Sequence, residues 1–510
     1  MAKAVDDLPD DVEALKAEVR NLRQRVAMFE EQYRLDQAKR YAPSQDQPPA
    51  EELPLFNEAE HERQRARYQP AAAAKPKKSG QANGGGRRPL PKDLPRETRV
   101  HELAESEQVC DCCGGALHVV DTEVTETAEQ IPARVYVVEH YRRRYACRDC
   151  DGGVERAPAP KAPIPGAQAG PNLLAAVVAG KYVESMPLYR QAAFYQRHGL
   201  ELDRQTLGRW AVRAGELVQP LIDRFHALLL TGPVIHADES RLQVLKEAGR
   251  SAKQKSTMWV YASGGGDPPI RIYQYQPNTS SEHPRRFLDG FTGYLQSDGF
   301  SGYDALARAQ PQLTGVGCWA HARRKFVDVQ KAGGDETGDG EAAWFVARIG
   351  ELYAIERDCA EVDADERYRR RQAKARPILD AIGERLAGLN GVPPKTLLGK
   401  ALTYTRRQWP SLVRYIDSGH TAIDNNTAER AIKPFVIGRK NWLFSNSANG
   451  AHASAALYSV VETAKANGVE PYAYLAHVFH ELANRDIDGG APIDDLLPWN
   501  IELPDPAAAA

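Results

Sequence analysis

Three acidic residues far apart in the chain are of the right type to hold divalent metal ions together. Asp238 lies within the apolar, β-branched run TGPVIHADESRLQVL, and Asp298 interrupts a similar run, GYLQSDGFSGYDAL. Both runs are typical of buried strands. Glu429 follows the turn DNNT, which predicts a helix start because such side chains accept the first amide hydrogens. Carboxylates on two strands and one helix can converge on hard cations, which prefer oxygen ligands.

Glu429 also has a purely structural interpretation. A carboxylate in the first turn of a helix is stabilised by the helix dipole. We expect that helix to be short and to end at Lys433-Pro434, because the residue before a proline avoids the α region.

Nearby acidic residues have other expected roles. Asp424 is expected to cap the helix that carries Glu429, and Asp304 to begin the helix after the fourth strand. Glu239 alternates to the opposite face of the strand from Asp238 if that strand is regular.

Five ordered segments resemble the transposases of the insertion sequence 66 family. They are the DES run, SDGFSGY, GCWAHARRKF, DNNTAERAIKP and GRKNWLF. The resemblance covers most of the chain and implies a DDE enzyme with a ribonuclease-H-like core. Asp238, Asp298 and Glu429 would then bind Mg²⁺ (or Mn²⁺) and catalyse DNA strand cleavage and strand transfer.

The segment pattern around these residues favours an α/β core with a helical insertion. Three hairpin strands, a helix and a fourth strand follow one another, which is the order of a ribonuclease-H-like sheet. A helical, charged block then separates Asp298 from Glu429 by 131 residues. The predicted parts are the core (231–324), the insertion (325–418), the second part of the core (419–468) and a helical tail (469–510).

The N-terminal segment, residues 8–40, predicts a coiled coil. Its apolar residues alternate steps of three and four, as in a heptad seam that pairs with a second copy. The alternative is a helix that packs on its own protein. The seam consists of Val12, Leu15, Val19, Leu22, Val26, Phe29 and Tyr33.

Residues 41–98 are rich in Pro, Ala, Gly, Gln and charge, and predict a flexible basic linker. From His61 to Val100 there are eleven Lys or Arg and three Asp or Glu. Such a run can bind phosphate, although solvated disorder explains it equally well.

Two C-x2-C pairs in residues 99–155 predict a structural zinc site, since four thiolates suit tetrahedral zinc. The ligands are Cys110, Cys113, Cys147 and Cys150, with Cys112 as an alternative to Cys113. Reduced, buried cysteines are the other interpretation. Arg142, Arg143 and Arg144 lie between the pairs and suit contact with a DNA backbone, or a solvated surface.

Residues 170–230 predict helices, two of which resemble a helix-turn-helix with its turn at His198-Gly199. Arg204, Gln205 and Arg209 would then face a DNA groove. A helical bundle that binds nothing has the same pattern.

Further basic and aromatic residues lie in the core motifs. His321 is a candidate to orient a phosphate or a water, and a structural role is as good an explanation. Trp319 and Trp442 are expected in the core, with base stacking as the alternative. The candidate phosphate contacts are Arg323, Arg324, Arg430, Arg439 and Lys440.

Composition limits the remaining choices. The chain has 510 residues, enough for two to four domains, and a net charge of −2 that by itself says nothing about nucleic acid. No run approaches the roughly 20 apolar residues of a membrane helix, and the N-terminus lacks the apolar core of a signal peptide. We therefore expect a bacterial cytoplasmic protein, nucleoid-associated when bound to DNA. In that compartment, paired cysteines favour metal over disulfides.

A transposase that binds element ends is the leading hypothesis. A DNA-binding or assembly protein that does not cut, and a host ribonuclease-H-like nuclease, are the alternatives. The coiled coil predicts a homo-oligomer, most simply a dimer, and the resemblance implies accessory proteins encoded by the same element.

Overall fold

The computed structural model describes residues 11–40, 98, 134–146, 154–158, 161–266, 268–333, 340–487 and 489–503. The chain divides into two units, residues 1–68 with 140–510, and residues 69–139. Of the second unit, residues 98 and 134–139 are described, and they form no regular element. The predicted zinc ligands Cys110, Cys113, Cys147 and Cys150, their alternative Cys112 and nearly all of the predicted linker lie outside the described residues.

The described chain before the sheet is mostly helical. A short antiparallel pair, β1 with β2, places Arg144 opposite Arg156. The turn between α3 and α4 contains Gly199 at φ 81°, and the Asp203 side chain caps α4 by accepting from the amides of Gln205 and Thr206. The elements are α1 (Val12–Arg40), β1 (Arg144–Ala146), β2 (Val154–Arg156), α2 (Pro171–Tyr182), α3 (Leu188–Arg197), α4 (Arg204–Leu217) and α5 (Gln219–Leu229).

A mixed sheet with strand order β5-β4-β3-β6-β7 forms the centre of the described structure. β3, β4 and β5 are antiparallel neighbours, whereas β6 and β7 run parallel to β3. The three hairpin strands, the helix and the two later strands lie where the sequence patterns predict them. Their bounds are β3 (Val234–Lys246), β4 (Lys255–Gly264), β5 (Arg271–Gln276), α6 (Glu282–Phe287), β6 (Gly293–Gln296), α7 (Ser301–Ala309), β7 (Leu313–Val316) and α8 (Trp319–Lys331).

The parallel pairing of β3 with β6 sets the level of two acidic residues. His236 is the register partner of Gln296. Two residues further along each chain come Asp238 and Asp298, so both lie at the same level beyond this pairing. β3 starts as four fully buried residues, so both faces of the sheet are covered at this point.

The block after α8 is helical, as predicted, and has an apolar core continuous with that helix. Trp319 and Phe326 of α8 are fully buried against Phe345 and Leu402. The helices are α9 (Glu341–Asp358), α10 (Ala364–Arg370), α11 (Arg376–Gly388) and α12 (Leu397–Leu412), with a π-helical turn at Arg371–Ala375 and a 3₁₀ turn at Val413–Asp417.

The chain returns to the sheet after this block. The expectation that Pro434 ends the first returning helix is wrong, because that helix runs through Pro434 to Trp442. Burial of Phe435 and Gly438 on the far side of the proline outweighs the loss of one backbone hydrogen bond. The elements are α13 (Asn426–Trp442), β8 (Ser445–Ser447), α14 (Ala448–Ala466) and α15 (Pro471–Asn484).

α14 covers the outer edge of the sheet. The hydroxyls of Ser459 and Thr463 accept hydrogen bonds from the amides of Tyr273 and Arg271 on β5, at 2.8 and 3.0 Å. These bonds satisfy the donors of an edge strand that would otherwise be free to pair with another chain. Among the described helices, none is both long and apolar enough to cross a membrane.

Arg371 ties the helical block to the segment that leads into α13. Its side chain is 1% exposed and donates to both Glu356 oxygens, at 2.9 and 2.6 Å. It also donates to the carbonyl oxygens of Tyr415 and Thr421, at 2.8 and 3.0 Å. One guanidinium therefore fixes three separate stretches of chain.

We predict that Arg371→Met lowers the free energy of unfolding by about 3–5 kcal/mol, because it leaves the Glu356 carboxylate buried without its cation. The matched control is Arg369→Met, whose side chain is 71% exposed in its pair with Glu366; its effect should stay below about 1 kcal/mol. Urea denaturation of both variants measures the difference, and equal effects would contradict this role of Arg371.

Candidate active site

Asp238, Asp298 and Glu429 come within electrostatic reach of one another. Asp238 lies on β3, Asp298 two residues after β6, and Glu429 in the first turn of α13. Burial, together with the negative charges of Asp298 and Glu429, raises the pKa of Asp238 to about 8. Like charges are held together here at a cost, an arrangement that is common at functional sites.

The loops around the two aspartates fix one oxygen of each. Asp238 Oδ1 accepts from the Glu239 amide at 2.8 Å, and Asp298 Oδ1 accepts from the Phe300 amide at 3.0 Å. Tyr404 of α12 donates its hydroxyl to the Asp298 carbonyl oxygen at 2.9 Å. Gly299, the residue after Asp298, has φ 88°, and a Cβ at this position would collide with the Gln408 side chain of α12. Helix α12 thus supports the Asp298 loop directly.

The start of α13 is attached to β3 by the buried side chain of Asn425. Its Nδ2 donates to the Ala237 carbonyl oxygen at 2.9 Å, and its Oδ1 lies 3.1 Å from His236 Nδ1. Because the amide oxygen only accepts, the imidazole must donate from Nδ1. Burial lowers the pKa of His236 to about 4, which keeps the ring neutral. Sequence reasoning missed this pair, although the doublet Asn425-Asn426 was a visible signal.

Glu429 faces α8. Its Oε1 lies 3.4 Å from His321 Nδ1, and its Oε2 lies 3.9 Å from an Arg324 nitrogen. Cys318 Sγ is 3.3 Å from the same His321 nitrogen. Among the described residues, one group of three potential metal ligands has its donor atoms within 4.8 Å of one another. It consists of Cys318, His321 and Glu429. Asp238, Asp298 and Glu429 are not gathered that tightly.

Burial shifts the pKa values of His321 and Cys318 in opposite directions. Burial lowers the pKa of His321 against the opposing charge of Glu429, so a neutral imidazole lies beside the carboxylate. Burial raises the pKa of the Cys318 thiol, and its sulfur accepts from the Asn425 amide at 3.3 Å. A thiol in this state is a poor ligand for a hard cation.

Asp424 was expected to cap α13, but the cap position is Asn425, whose side chain caps no amide. Asp424 lies one residue earlier and accepts from the Asn426 amide at 3.2 Å. Its other oxygen accepts from the Tyr353 hydroxyl at 3.0 Å. Tyr353 belongs to α9, so this helix also holds the turn before Glu429.

Glu239 was expected on the strand face opposite to Asp238, but it lies close enough to the site to interact with it electrostatically. Burial and the charge of Asp298 raise its pKa to about 7, and Tyr303 of α7 lies next to it. Asp298 follows β6 and therefore acts on both neighbouring acidic residues of β3. Strand alternation alone could not reveal this, because it describes only β3.

The predicted phosphate contacts lie on α8 and α13. Arg323 and Arg324 are half-buried on α8, and Arg430 and Lys440 are exposed on α13. Arg439 donates to Ser240 Oγ at 3.0 Å, two residues beyond Asp238 on β3. Of these side chains, Arg324 lies 3.9 Å from Glu429 and Arg439 contacts the strand that carries Asp238.

The remaining predicted residues are the two tryptophans and the candidate DNA contacts outside the core motifs. Trp319 is fully buried and donates to the Leu412 carbonyl oxygen at 2.9 Å, so it is a core residue. Trp442 is half-buried beneath Lys181, whose Nζ lies 4.8 Å from its ring. Exposed residues elsewhere are Arg204, Gln205 and Arg209 at the start of α4, and Arg142, Arg143 and Arg144 at or just before β1.

The family of this chain follows from its matches to models of known protein families. The family model described as "Transposase IS66 family" matches residues 166–453, which include all three carboxylates. The chain belongs to this family. Two further models of the family match, its zinc-finger binding domain at residues 107–151 and its C-terminal element at residues 459–499. The resemblance stated from the motifs is thereby confirmed.

The most similar relatives include two uncharacterized proteins of Sinorhizobium fredii. Protein y4jD is 36% identical over 425 residues, which are 81% of this chain and 81% of y4jD. Protein y4hP is 33% identical over 434 residues, 81% of this chain and 76% of y4hP.

The donor set of this site fits a hard divalent cation. Asp238 is a half-buried carboxylate whose ionisation is opposed by the charges of Asp298, Glu239 and Glu429, and Glu429 Oε1 is buried without a hydrogen bond. Oxygen ligands with excess negative charge are what Mg²⁺ and Mn²⁺ take.

We predict that millimolar Mg²⁺ raises the Tm of the chain by a few degrees in chelator-free buffer. Binding at 100 times Kd adds about 2.7 kcal/mol of stability. Asp238→Asn should abolish the Mg²⁺ response and raise the Tm without Mg²⁺, because it removes a carboxyl group whose ionisation is opposed in the folded state, where its pKa is about 8. Asp289→Asn, at an exposed carboxylate after α6, is the control that keeps the response. A full response in Asp238→Asn would exclude Asp238 as a ligand.

Proposed function

We propose that this chain is a DNA transposase that binds the ends of an insertion sequence and catalyses metal-dependent strand cleavage and strand transfer. The observation that carries the proposal is the approach of three carboxylates from β3, β6 and α13, bordered by the arginines of α8 and α13. The family membership supports the same activity.

We also assign the sheet to the ribonuclease-H-like class. The strand order β5-β4-β3-β6-β7, with three antiparallel and two parallel members, supports this assignment. In it, α9 to α12 are an insertion between β7 and the helix that carries Glu429.

In the proposed site, Asp238, Asp298 and Glu429 would hold two Mg²⁺ ions. Bound Mg²⁺ would supply activation of the attacking oxygen and stabilisation of the leaving one. The attacking oxygen is water in cleavage and the freed 3′-hydroxyl in transfer. In each step one P–O bond forms as another breaks, so the chain needs no nucleophilic side chain.

Other residues position these groups. Arg324 and the neutral imidazole of His321 hold the Glu429 carboxylate between them. Arg323, Arg430, Arg439 and Lys440 bind backbone phosphates of the same DNA.

Separate modules recognise the element ends in this proposal. The exposed start of α4 presents Arg204, Gln205 and Arg209 to a DNA groove. The cysteine pairs at Cys110, Cys113, Cys147 and Cys150 all fall in the matched zinc-finger region, and we assign them one structural zinc ion. Arg142, Arg143 and Arg144 contact the backbone beside it.

Catalysis is expected to fail in Asp238→Asn, Asp298→Asn and Glu429→Gln. Each substitution keeps the side-chain shape and removes a metal ligand, which is worth several kcal/mol in the transition state and about a thousandfold in rate. The assay is cleavage of a duplex carrying the element's own terminal sequence, with and without Mg²⁺. Binding of that duplex should survive in all three variants.

Asp289→Asn is the matched control for this assay. Glu239→Gln does not serve as one, because Glu239 lies close enough to Asp298 for their charges to interact. If Glu429→Gln cuts normally, the assignment of Glu429 is wrong, and Asp424 is the first replacement to test.

We propose that α1 dimerises the transposase through its heptad seam. Five seam residues from Val19 to Tyr33 are 44–65% exposed. The opposite face packs on the protein, where Leu35 is 3% exposed and Glu31 accepts from the Leu397 amide of α12 at 3.3 Å. The helix therefore has one face on its own chain and an apolar face left for a partner.

Self-association should weaken in the double variant Leu15→Glu/Leu22→Glu, because each buried seam leucine contributes about 1.5–3 kcal/mol before entropy. The matched control, Ala17→Glu/Gln24→Glu, adds the same charges at exposed positions off the seam. Light scattering measures the masses. Equal masses for the seam variant and the parent would show that α1 is not the dimer contact.

A further inference from the structure

The end of α13 contains a strained turn at Leu443. This residue has φ 67° and ψ −48°, and the Phe444 amide donates to the Trp442 carbonyl oxygen at 2.8 Å. It is a γ-turn with positive φ at its central residue, a rare and strained conformation that a side chain with a Cβ makes costlier. Such strain persists where neighbouring structure enforces it, and it is concentrated at functional sites.

Both sides of the turn are held firmly. The Leu443 amide donates to the Arg439 carbonyl oxygen at 2.7 Å. On the other side, Ser445 begins β8, which pairs with β3 at Val244. The turn is therefore a rigid connection between α13 and the strand that carries Asp238.

This turn presents two large apolar side chains to solvent. Leu443 is 65% exposed and Phe444 is 41% exposed. A single exposed apolar residue needs no explanation, but two adjacent ones on a strained, rigid turn form an apolar tip that favours a partner.

A line of positive charge leads from Glu429 to this tip. Arg430, Lys433 and Lys440 are the exposed charged residues of α13, and all three are basic. Their spacing of three and seven residues puts them on one side of the helix. From Glu429 to Leu443 there are 14 residues, or about 21 Å of helix, which matches about six base pairs of B-DNA.

We propose that Leu443 and Phe444 form an apolar wedge that enters the base stack of bound DNA, about six base pairs from the scissile phosphate. Basic side chains along the exposed side of α13 follow the phosphates between the two points. Leucine and phenylalanine are used in this way by proteins that kink or unstack DNA. This inference rests on the proposed function, since it assigns a second contact to the same substrate.

The test uses the full-length chain and a duplex with the element's terminal sequence, in which 2-aminopurine replaces one base at a time over the first ten positions. The parent should increase the fluorescence at one or two adjacent positions, because unstacking removes quenching. Leu443→Ala/Phe444→Ala should lose that increase and bind the duplex about tenfold more weakly. Phe444→Trp should retain the increase.

Two controls make the result specific. Ile437→Ala removes another exposed apolar side chain of α13 and should leave the fluorescence increase unchanged. A mismatch at the responding position should restore the binding of the double variant, because that base is already unstacked. Leu443→Gly removes the side chain but adopts positive φ without strain, and it should lose the signal while remaining folded by circular dichroism.

A parent that cuts this duplex with Mg²⁺ but unstacks no position overturns the wedge, as does a double variant that keeps the signal. A change in the mass of the double variant without DNA would instead assign the tip to contact between protein copies, and would also overturn it. If the parent neither cuts nor binds the duplex, the proposed function itself fails.

Discussion

The hydrogen bonds of the Asn425 side chain to β3 are the constraint on which the rest of the site depends. Asn425 is fully buried, and it contacts His236 and Ala237 of β3. The start of α13 is thereby held against the residue that precedes Asp238. Glu429 follows one helical turn later. Without this attachment, the repulsion among the three carboxylates would favour their separation. His236 must be neutral in this arrangement, because burying a protonated ring at this place would cost desolvation free energy.

The helical block from α9 to α12 contacts the candidate site directly. Tyr404 of α12 holds the loop of Asp298, and Tyr353 of α9 holds the turn that precedes Glu429. Both hydroxyls come from helices whose apolar core includes Trp319 and Phe326 of α8, the helix that also supplies His321 and Arg324. The packing of the insertion therefore sets the position of two carboxylates, and Arg371 connects it to the chain entering α13. This explains how a long insertion is compatible with a site that needs exact placement of charge.

Some features of the site depend on neighbours that no local pattern contains. Pro434 was expected to end its helix, but the buried residues beyond it keep the chain helical. Glu239 was expected to face away, and its position on β3 is regular, yet Asp298 from β6 and Tyr303 from α7 give it a shared electrostatic environment. Cys318 showed no chemical signature in the sequence, and the Asn425-Asn426 doublet gave no indication of its partners on β3. Their roles arise only when α8, α13 and β3 are packed together.

The sequence by itself determined the elements and the family of this protein. Alternating apolar residues located the strands, the DNNT turn located the helix of Glu429, and five ordered motifs identified the family. These signals are local, because strand periodicity and capping depend on residues a few positions apart. Only the tertiary structure decided that Asp298 acts on both Asp238 and Glu239, that the insertion supports the carboxylates, and that Leu443 is strained. Charge coupling and support are relations between segments distant in sequence, such as the 189 residues from His236 to Asn425, and they exist only once β3, β6 and α13 are packed together.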